Sequence, residues 1–440
     1  MSLQEPRPFV EAEVVAFRAM DLRLLFELSL RLCHQVFKCI WAHLDMNSSI
    51  ILGNNLPPLP EELLVARDRG EVLFIVGAGA SYPPPSSLPD FGGLVADIYA
   101  EVDAAMKGPL TELRKPKPLE WDKIPGMLTH QQRTELKFFA QHEYDAVLGM
   151  LERRIDGDPS KMSTLRRAAR KVLERTIEPN PLHSALVRLG QRFGQTLLVT
   201  TNFDRLLSIA AKKDKYSGDA FALGEIPNPS RSTEFAGILH IHGMLPLKSQ
   251  RGSELILTDQ DFGDAYLRRH MITSFLYDAA RIFHLVLVGY SANDSPVRYL
   301  LNAIAADERH FVDLKPRYAF VGCDPTDART SVEWQSRGIT PITYDKADNH
   351  KALGMVLSRW AEIIPDKRNT SRVEKHLASI AKLDPDTPEG QAGQSFIRYY
   401  VGRSNPTEQA ELSRLLASKN ASPKWLAFLN QLVRETARGR

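Results

Sequence analysis

Seven short apolar runs, each bounded by glycine, charge or turn residues, constrain this chain more than any other feature. They are VLFIV (72–76), TLLVT (196–200), GILHIHG (237–243), LILT (255–258), HLVLVG (284–289), RYAFVG (317–322) and ITPITY (339–344). Their length suits strands, and hydrophobicity without regular alternation requires burial on both faces. Helical patterns at 91–105, 267–283 and 295–309 lie between several of them. Buried strands alternating with helices predict an α/β fold, a Rossmann-like, mainly parallel sheet covered on both sides.

The rest of the chain reads as helix. Residues 9–45 carry an apolar stripe (Leu22, Leu25, Leu28, Leu32, Val36, Cys39), and the proline-rich NNLPPLPEEL then sets a boundary near residue 55. Residues 106–195 read as a helical insertion broken at KPKPLEW and IEPNP, and beyond residue 366 only helices remain, at 371–383, 407–418 and 423–437. The expected division is a helical extension over 1–55, a nucleotide-binding domain over 56–365 and a helical region over 366–440. Trp425, Leu429, Leu432 and Val433 form a second stripe. A helix that amphipathic must bury its face. Both stripes are expected to build a homo-oligomer, with packing back on the parent domain as the alternative.

Net charge is +3 over 440 residues, which does not point to direct nucleic-acid binding. Basic residues cluster at 161–175 and after 401, and solvated helix faces are the plain reading of both. Three cysteines, Cys33, Cys39 and Cys323, are too few for a disulfide framework and lack zinc-ribbon spacing. The polar, acidic start MSLQEPRPFVEAE reads as no secretory leader, and the apolar stretch 22–41 is too interrupted by charge to span a membrane. A reducing cytoplasm is the expected location.

The first run continues as GAGAS, Gly77 to Ser81. Glycine after a buried strand lets backbone N–H groups approach phosphate oxygens, and it also suits any tight turn. Three other strand ends carry polar groups: Thr200, Thr201, Asn202 and Asp204; His240 and His242, two apart on one strand face; and Gly289, Ser291, Asn293 and Asp294. Each could be a helix cap or a satisfied core residue. Several such clusters at one end of one sheet are better explained by a shared ligand crevice.

The order of these motifs, G-A-G-A-S, S-L-P-D-F (87–91), T-T-N-F-D, H-G and G-Y-S-A-N-D-S-P, resembles the sirtuin catalytic core over residues 68–345. The resemblance implies NAD as substrate. Gly77, Ala78, Gly79 and Ser81 would belong to the pyrophosphate turn, and Asp90 and Phe91 to the loop over the nicotinamide ribose. Thr201, Asn202 and Asp204 would line the nicotinamide pocket, and His242 would be the catalytic base. Gly289, Ser291 and Asn293 would hold the adenosine half. The chain departs from sirtuin deacylases in two respects. No cysteine lies between His242 and Cys323, so the four-cysteine zinc module is absent and no metal is expected, and Gly92 stands where an arginine normally follows P-D-F. The chain is thus more similar to the sirtuin-related proteins of bacterial anti-phage defence, which hydrolyse NAD, than to deacylases. A partner such as a HerA-type ATPase is consistent with that group.

Asn202 and His242 are the expected catalytic pair. Asn202 would hold a water or ribose hydroxyl, and His242 would take a proton near neutrality, given an ordinary histidine pKa of about 6.5. A deacylase or ADP-ribosyl transferase on the same core, a non-catalytic nucleotide sensor and a generic dehydrogenase stay open as alternatives.

Overall fold

The computed structural model describes residues 49–53, 55–115, 127–157, 163–173, 178–222, 229, 236–245, 255–290, 314–324, 328–364, 370–419 and 421–438. The chain divides between Ser49 and Ile50, and the sheet and its helices lie in the unit that begins at Ile50. The expected N-terminal stripe and the helix at 295–309 fall outside the described residues.

The strands of the sheet are β1 (Val72–Val76), β2 (Gln195–Thr200), β3 (Ala220–Ala222), β4 (Gly237–His240), β5 (His284–Val288), β6 (Arg317–Cys323) and β7 (Thr340–Asp345). Their spatial order is β7-β6-β5-β1-β2-β4-β3, with every neighbouring pair parallel. A two-residue strand, Gln191–Arg192, pairs antiparallel with β2. Central β1 is in register with β5, Val72 opposite His284 and Val76 opposite Val288. On its other side Phe74 lies opposite Leu198 and Val76 opposite Thr200 of β2. The chain leaves β1 on one side and returns on the other, which opens a crevice at the carboxyl ends of the central strands.

Both faces are buried, as the apolar runs require. Phe74, Val76, Leu198, Ile238 and Val286 enter one apolar cluster, and Leu73, Ile75, Leu197, Leu239 and Leu285 enter the opposite one. Helices α1 (Glu61–Asp68), α2 (Phe91–Val102), α3 (Ala104–Leu113), α4 (His130–Ala140), α5 (Tyr144–Asp156), α6 (Thr164–Leu173), α7 (Pro181–Leu189), α8 (Leu206–Lys213), α9 (Met271–Ile282), α10 (Ala328–Gln335) and α11 (Ala347–Ile363) surround the sheet. The first face is covered by α1, α7, α8 and α11, the second by α9 and α10. Helices α2 to α6 build a third cluster that also takes in Phe203, Leu245, Leu255 and Leu257, from the loops beyond β2 and β4. Helices α2 to α6 are therefore a layer beside the crevice, while α7, which the expected insertion 106–195 included, covers the sheet instead. The basic helix α6 is engaged within the chain, with Arg166 bonded to both carboxylate oxygens of Asp261 and Lys171 paired with Glu101.

Several expectations need correction. LILT is not a strand. Leu255 and Leu257 go to the third cluster and Ile256 to the second, and Ile256 N–H donates to His242 O instead of a strand ladder. β4 ends at His240, so His242 lies in the following turn, not on the strand. The C-terminal stripe does not wait for another chain. Helices α12 (Thr370–Ile380), α13 (Pro388–Arg403), α14 (Pro406–Ser418) and α15 (Pro423–Arg438) pack on the first face, and Trp425, Leu429 and Leu432 are buried in the same cluster as Phe74 and Trp360. Tyr399 O–H donates to Asp68 Oδ2 at 2.7 Å and ties this region to α1, and Trp425 Nε1–H donates to Leu383 O at 2.8 Å and ties α15 to the loop after α12.

Candidate active site

After β1, residues Ala78–Ala80 form a single 3₁₀ turn. Gly77 N–H donates to Val288 O at 2.8 Å, and Gly79 N–H to Gly289 O at 2.9 Å. A Cβ on Gly77 would stand 2.7 Å from Gly289 O, and one on Gly289, whose φ is +76°, would stand 2.5 Å from Ala80 N. These glycines let the ends of β1 and β5 touch. Their N–H groups, expected to cradle pyrophosphate, are committed to the carbonyls of that contact. Ala78 and Ser81 are the members of the motif that line the cavity.

The cavity encloses about 640 Å³, its open mouth included. Ser81, Asp90, Thr201, Asn202, Asp204 and His242 supply its main polar lining, while Phe91, Leu94, Leu173, Phe203 and Ile256 wall it with apolar surface. The structure thus brings together residues from the ends of β1, β2 and β4 and from the start of α2. Gly289 meets the Gly77–Ala80 turn but does not line the cavity; Ser291 and Asn293 fall outside the described residues.

Ser81 is the hub. Its Oγ lies 3.0 Å from Asp204 Oδ2, 3.1 Å from His183 Nε2 and 3.2 Å from Asn202 Nδ2. Asn202 Nδ2 also donates to Gly77 O at 3.2 Å, and Asp204 Oδ1 accepts from the N–H of Leu206, the first residue of α8, at 3.0 Å. Burial raises the Asp204 carboxyl above the usual carboxylate range, opposed by these hydrogen bonds. Thr200 Oγ donates to Val76 O and accepts from Asn202 N–H, which locks the turn after β2 onto β1.

The two histidines have separate tasks. His240 Nδ1 lies 2.8 Å from Asn202 O, a carbonyl that can only accept, so the ring donates and holds Asn202 from behind. His242 lines the cavity, and its Nε2 lies 2.7 Å from the Tyr266 hydroxyl. Burial of the ring pushes its pKa down to about 3, which revises the expectation of titration near neutrality. Tyr290 OH meets Thr201 Oγ at 3.0 Å, and both residues line the cavity.

Asp90 caps α2 by accepting from Gly93 N–H at 2.7 Å, and its carboxylate pairs with Arg114 at 2.9 Å. Gly92 follows for a steric reason: a Cβ there would stand 2.7 Å from Tyr144 OH. Any side chain there would have to displace the Tyr144 ring.

Sequence reading missed His183, Asn180, Tyr266 and Tyr290. Asn180 carried a local signal, since N-P-L-H reads as an N-cap followed by proline at N1, and Asn180 does accept from Leu182 N–H and His183 N–H. Tyr266 comes from a π-helical stretch, Gly263–Arg268, that no periodicity announces.

Among the described residues no group of His, Cys, Asp or Glu is placed to hold a metal ion, and no helix is long and apolar enough to cross a membrane. Residues 196–342 match the SIR2-like domain family. A protein of Sinorhizobium fredii, named uncharacterized protein y4cA, is 33% identical over 297 residues, which is 66% of this chain and 22% of that relative. The chain therefore spans about a fifth of the relative's length.

Proposed function

The chain carries a sirtuin-like domain, and on that premise we propose that it is an NAD+ glycohydrolase, releasing nicotinamide and ADP-ribose. The observation that carries this reading is the convergence of Ser81, Asn202, Asp204 and His242 on one cavity at the carboxyl ends of the central strands.

Loss of nicotinamide leaves an oxocarbenium-like centre at the ribose C1′. Phe91, Phe203 and Ile256 shield that centre from bulk water. Asn202 spends its amide hydrogens on Ser81 and Gly77, which leaves its oxygen to accept from a water or a ribose hydroxyl. Asp204 keeps lone pairs for the carboxamide NH₂ of the leaving group. His242 is neutral and weakly basic. That suffices, because a water bonded to C1′ is an oxonium far more acidic than free water, and its proton passes readily to an imidazole. No metal takes part in this scheme.

Depletion of NAD in anti-phage defence, control by self-assembly or by a partner such as a HerA-type ATPase, a cytoplasmic location, and the extents 1–55, 56–365 and 366–440 belong to the same proposal. The defence role and the ATPase partner rest on the motif order, the location on the few cysteines, and the extents on the proline-rich break near residue 55 and the end of the strands near 366. Purified protein incubated with NAD, alone and with candidate activators, should release nicotinamide; Asn202→Ala and His242→Ala should abolish release with circular dichroism unchanged. A protein that binds ADP-ribose yet releases no nicotinamide under any activating condition would be a sensor instead.

A further inference from the structure

We propose that His183, on α7, is a positioning residue that sets the proton directions of the site and so turns the amide oxygen of Asn202 into the cavity; it rests on the NAD-cleaving reading of the same cavity. His183 is fully buried. Its Nδ1 lies 3.2 Å from the backbone nitrogen of Asn180, a group that can only donate. Nδ1 is therefore unprotonated, and the neutral ring carries its hydrogen on Nε2. Burial, which lowers its pKa to about 3, keeps the ring in that form.

The rest follows by counting donors. Nε2–H, 3.1 Å from Ser81 Oγ, can only donate to it. The serine hydrogen is then directed at Asp204 Oδ2, 3.0 Å away. The remaining lone pair of Oγ accepts from Asn202 Nδ2 at 3.2 Å, and the second amide hydrogen of Asn202 goes to Gly77 O at 3.2 Å. A reversed amide would set its oxygen against the Gly77 carbonyl. The opposite tautomer of His183 would accept from Ser81 and deprive Asp204 of its donor. Asn180 holds the assembly in range, its Nδ2 donating to Ala80 O at 2.9 Å and Pro83 O at 3.1 Å.

Leucine keeps the packing volume but leaves Asn180 N–H without its acceptor and Ser81 Oγ without one donor, so a purely structural histidine would show its loss in stability and not in turnover. A positioning histidine would show it in turnover as well. In the full chain, His183→Leu should melt a few degrees lower but remain folded at the assay temperature, and there lose about 10- to 100-fold in kcat for nicotinamide release, with KM little moved. His183→Gln, whose Nε2 can donate to Ser81, should recover most of that loss. With 15N-labelled histidine and asparagine, NMR should show His183 as the Nε2–H tautomer at every pH from 5 to 8. It should also show slow exchange of the Asn202 side-chain NH₂ in wild type and the Gln variant, but not in the Leu variant. Wild-type kcat in His183→Leu, a glutamine variant as slow as leucine, or an Nδ1–H tautomer would each overturn the assignment. If wild type cleaves no NAD, the functional reading falls by itself, and the tautomer and amide exchange still decide the role of His183.

Discussion

The hydroxyl of Tyr266 lies 2.7 Å from Nε2 of His242, and both rings are buried. One imidazole nitrogen is thus occupied before any substrate arrives. Proton transfer must use Nδ1, or the tyrosine must let go. The rings also pack edge to face, centroids 5.9 Å apart, with Phe262 completing the group at 5.3 Å from His242. Tyr266 belongs to a π-helical stretch, a distortion often found at functional sites.

Tyr266→Phe keeps that packing and removes the hydroxyl. It leaves a buried nitrogen without its partner, a loss of about 1–3 kcal/mol of ring positioning. We expect kcat for nicotinamide release to fall about 10-fold, with KM little changed, in steady-state assays. An unchanged kcat would mean that the hydrogen bond is irrelevant to the turnover state.

The buried histidines make stability depend on acid. Burial lowers the pKa of His183 and His242 to about 3 and that of His240 to about 4. The unfolded chain binds these protons near pH 6.5 and the folded chain does not, so stability is complete above about 6.5 and is lost as pH falls toward the folded pKa values. Each histidine contributes a slope of about 1.4 kcal/mol per pH unit in that window. Asp204, shifted upward, works in the opposite direction. Chemical denaturation between pH 7 and 5 should show the steep loss. His240→Asn, which can still donate to Asn202 O, should flatten it by about one proton.

Gly289→Ala should test the contact between the β1 and β5 turns. With φ at +76° and a Cβ 2.5 Å from Ala80 N, alanine is both strained and in collision. A cost of about 1–3 kcal/mol from the backbone alone is expected, with displacement of Ser81 and loss of nucleotide binding. Thermal melts and ADP-ribose titration measure both.

Trp425→Ala should destabilise the protein by about 3–5 kcal/mol, because the indole is fully buried against the sheet's helical face and bonded to Leu383 O. Its effect on the self-association of the chain, followed by light scattering at matched folded fraction, should be nil. A variant of native stability that only dissociates would restore the interface reading of this helix.

The layered fold is written in the apolar runs. An apolar run such as HLVLV has only one economical arrangement, a central strand with both faces covered, and Leu285 and Val286 indeed enter opposite clusters. The sequence also marked the strand ends where polar residues gather, since Asn202, Asp204 and His242 sit in turns that apolar packing cannot explain. Their local neighbours could not reveal their partners. Ser81 meets His183 across 102 positions and Asp204 across 123, separations set by which helix the sheet's reversal brings over the β1 turn. Tertiary structure alone decided that Gly77 and Gly79 serve a loop contact, that the stripe of Trp425 is covered within the chain, and that His242 is held neutral. Each of these depends on what surrounds a residue in space. Burial and donor counting are properties of that surrounding, and no spacing along the chain encodes them.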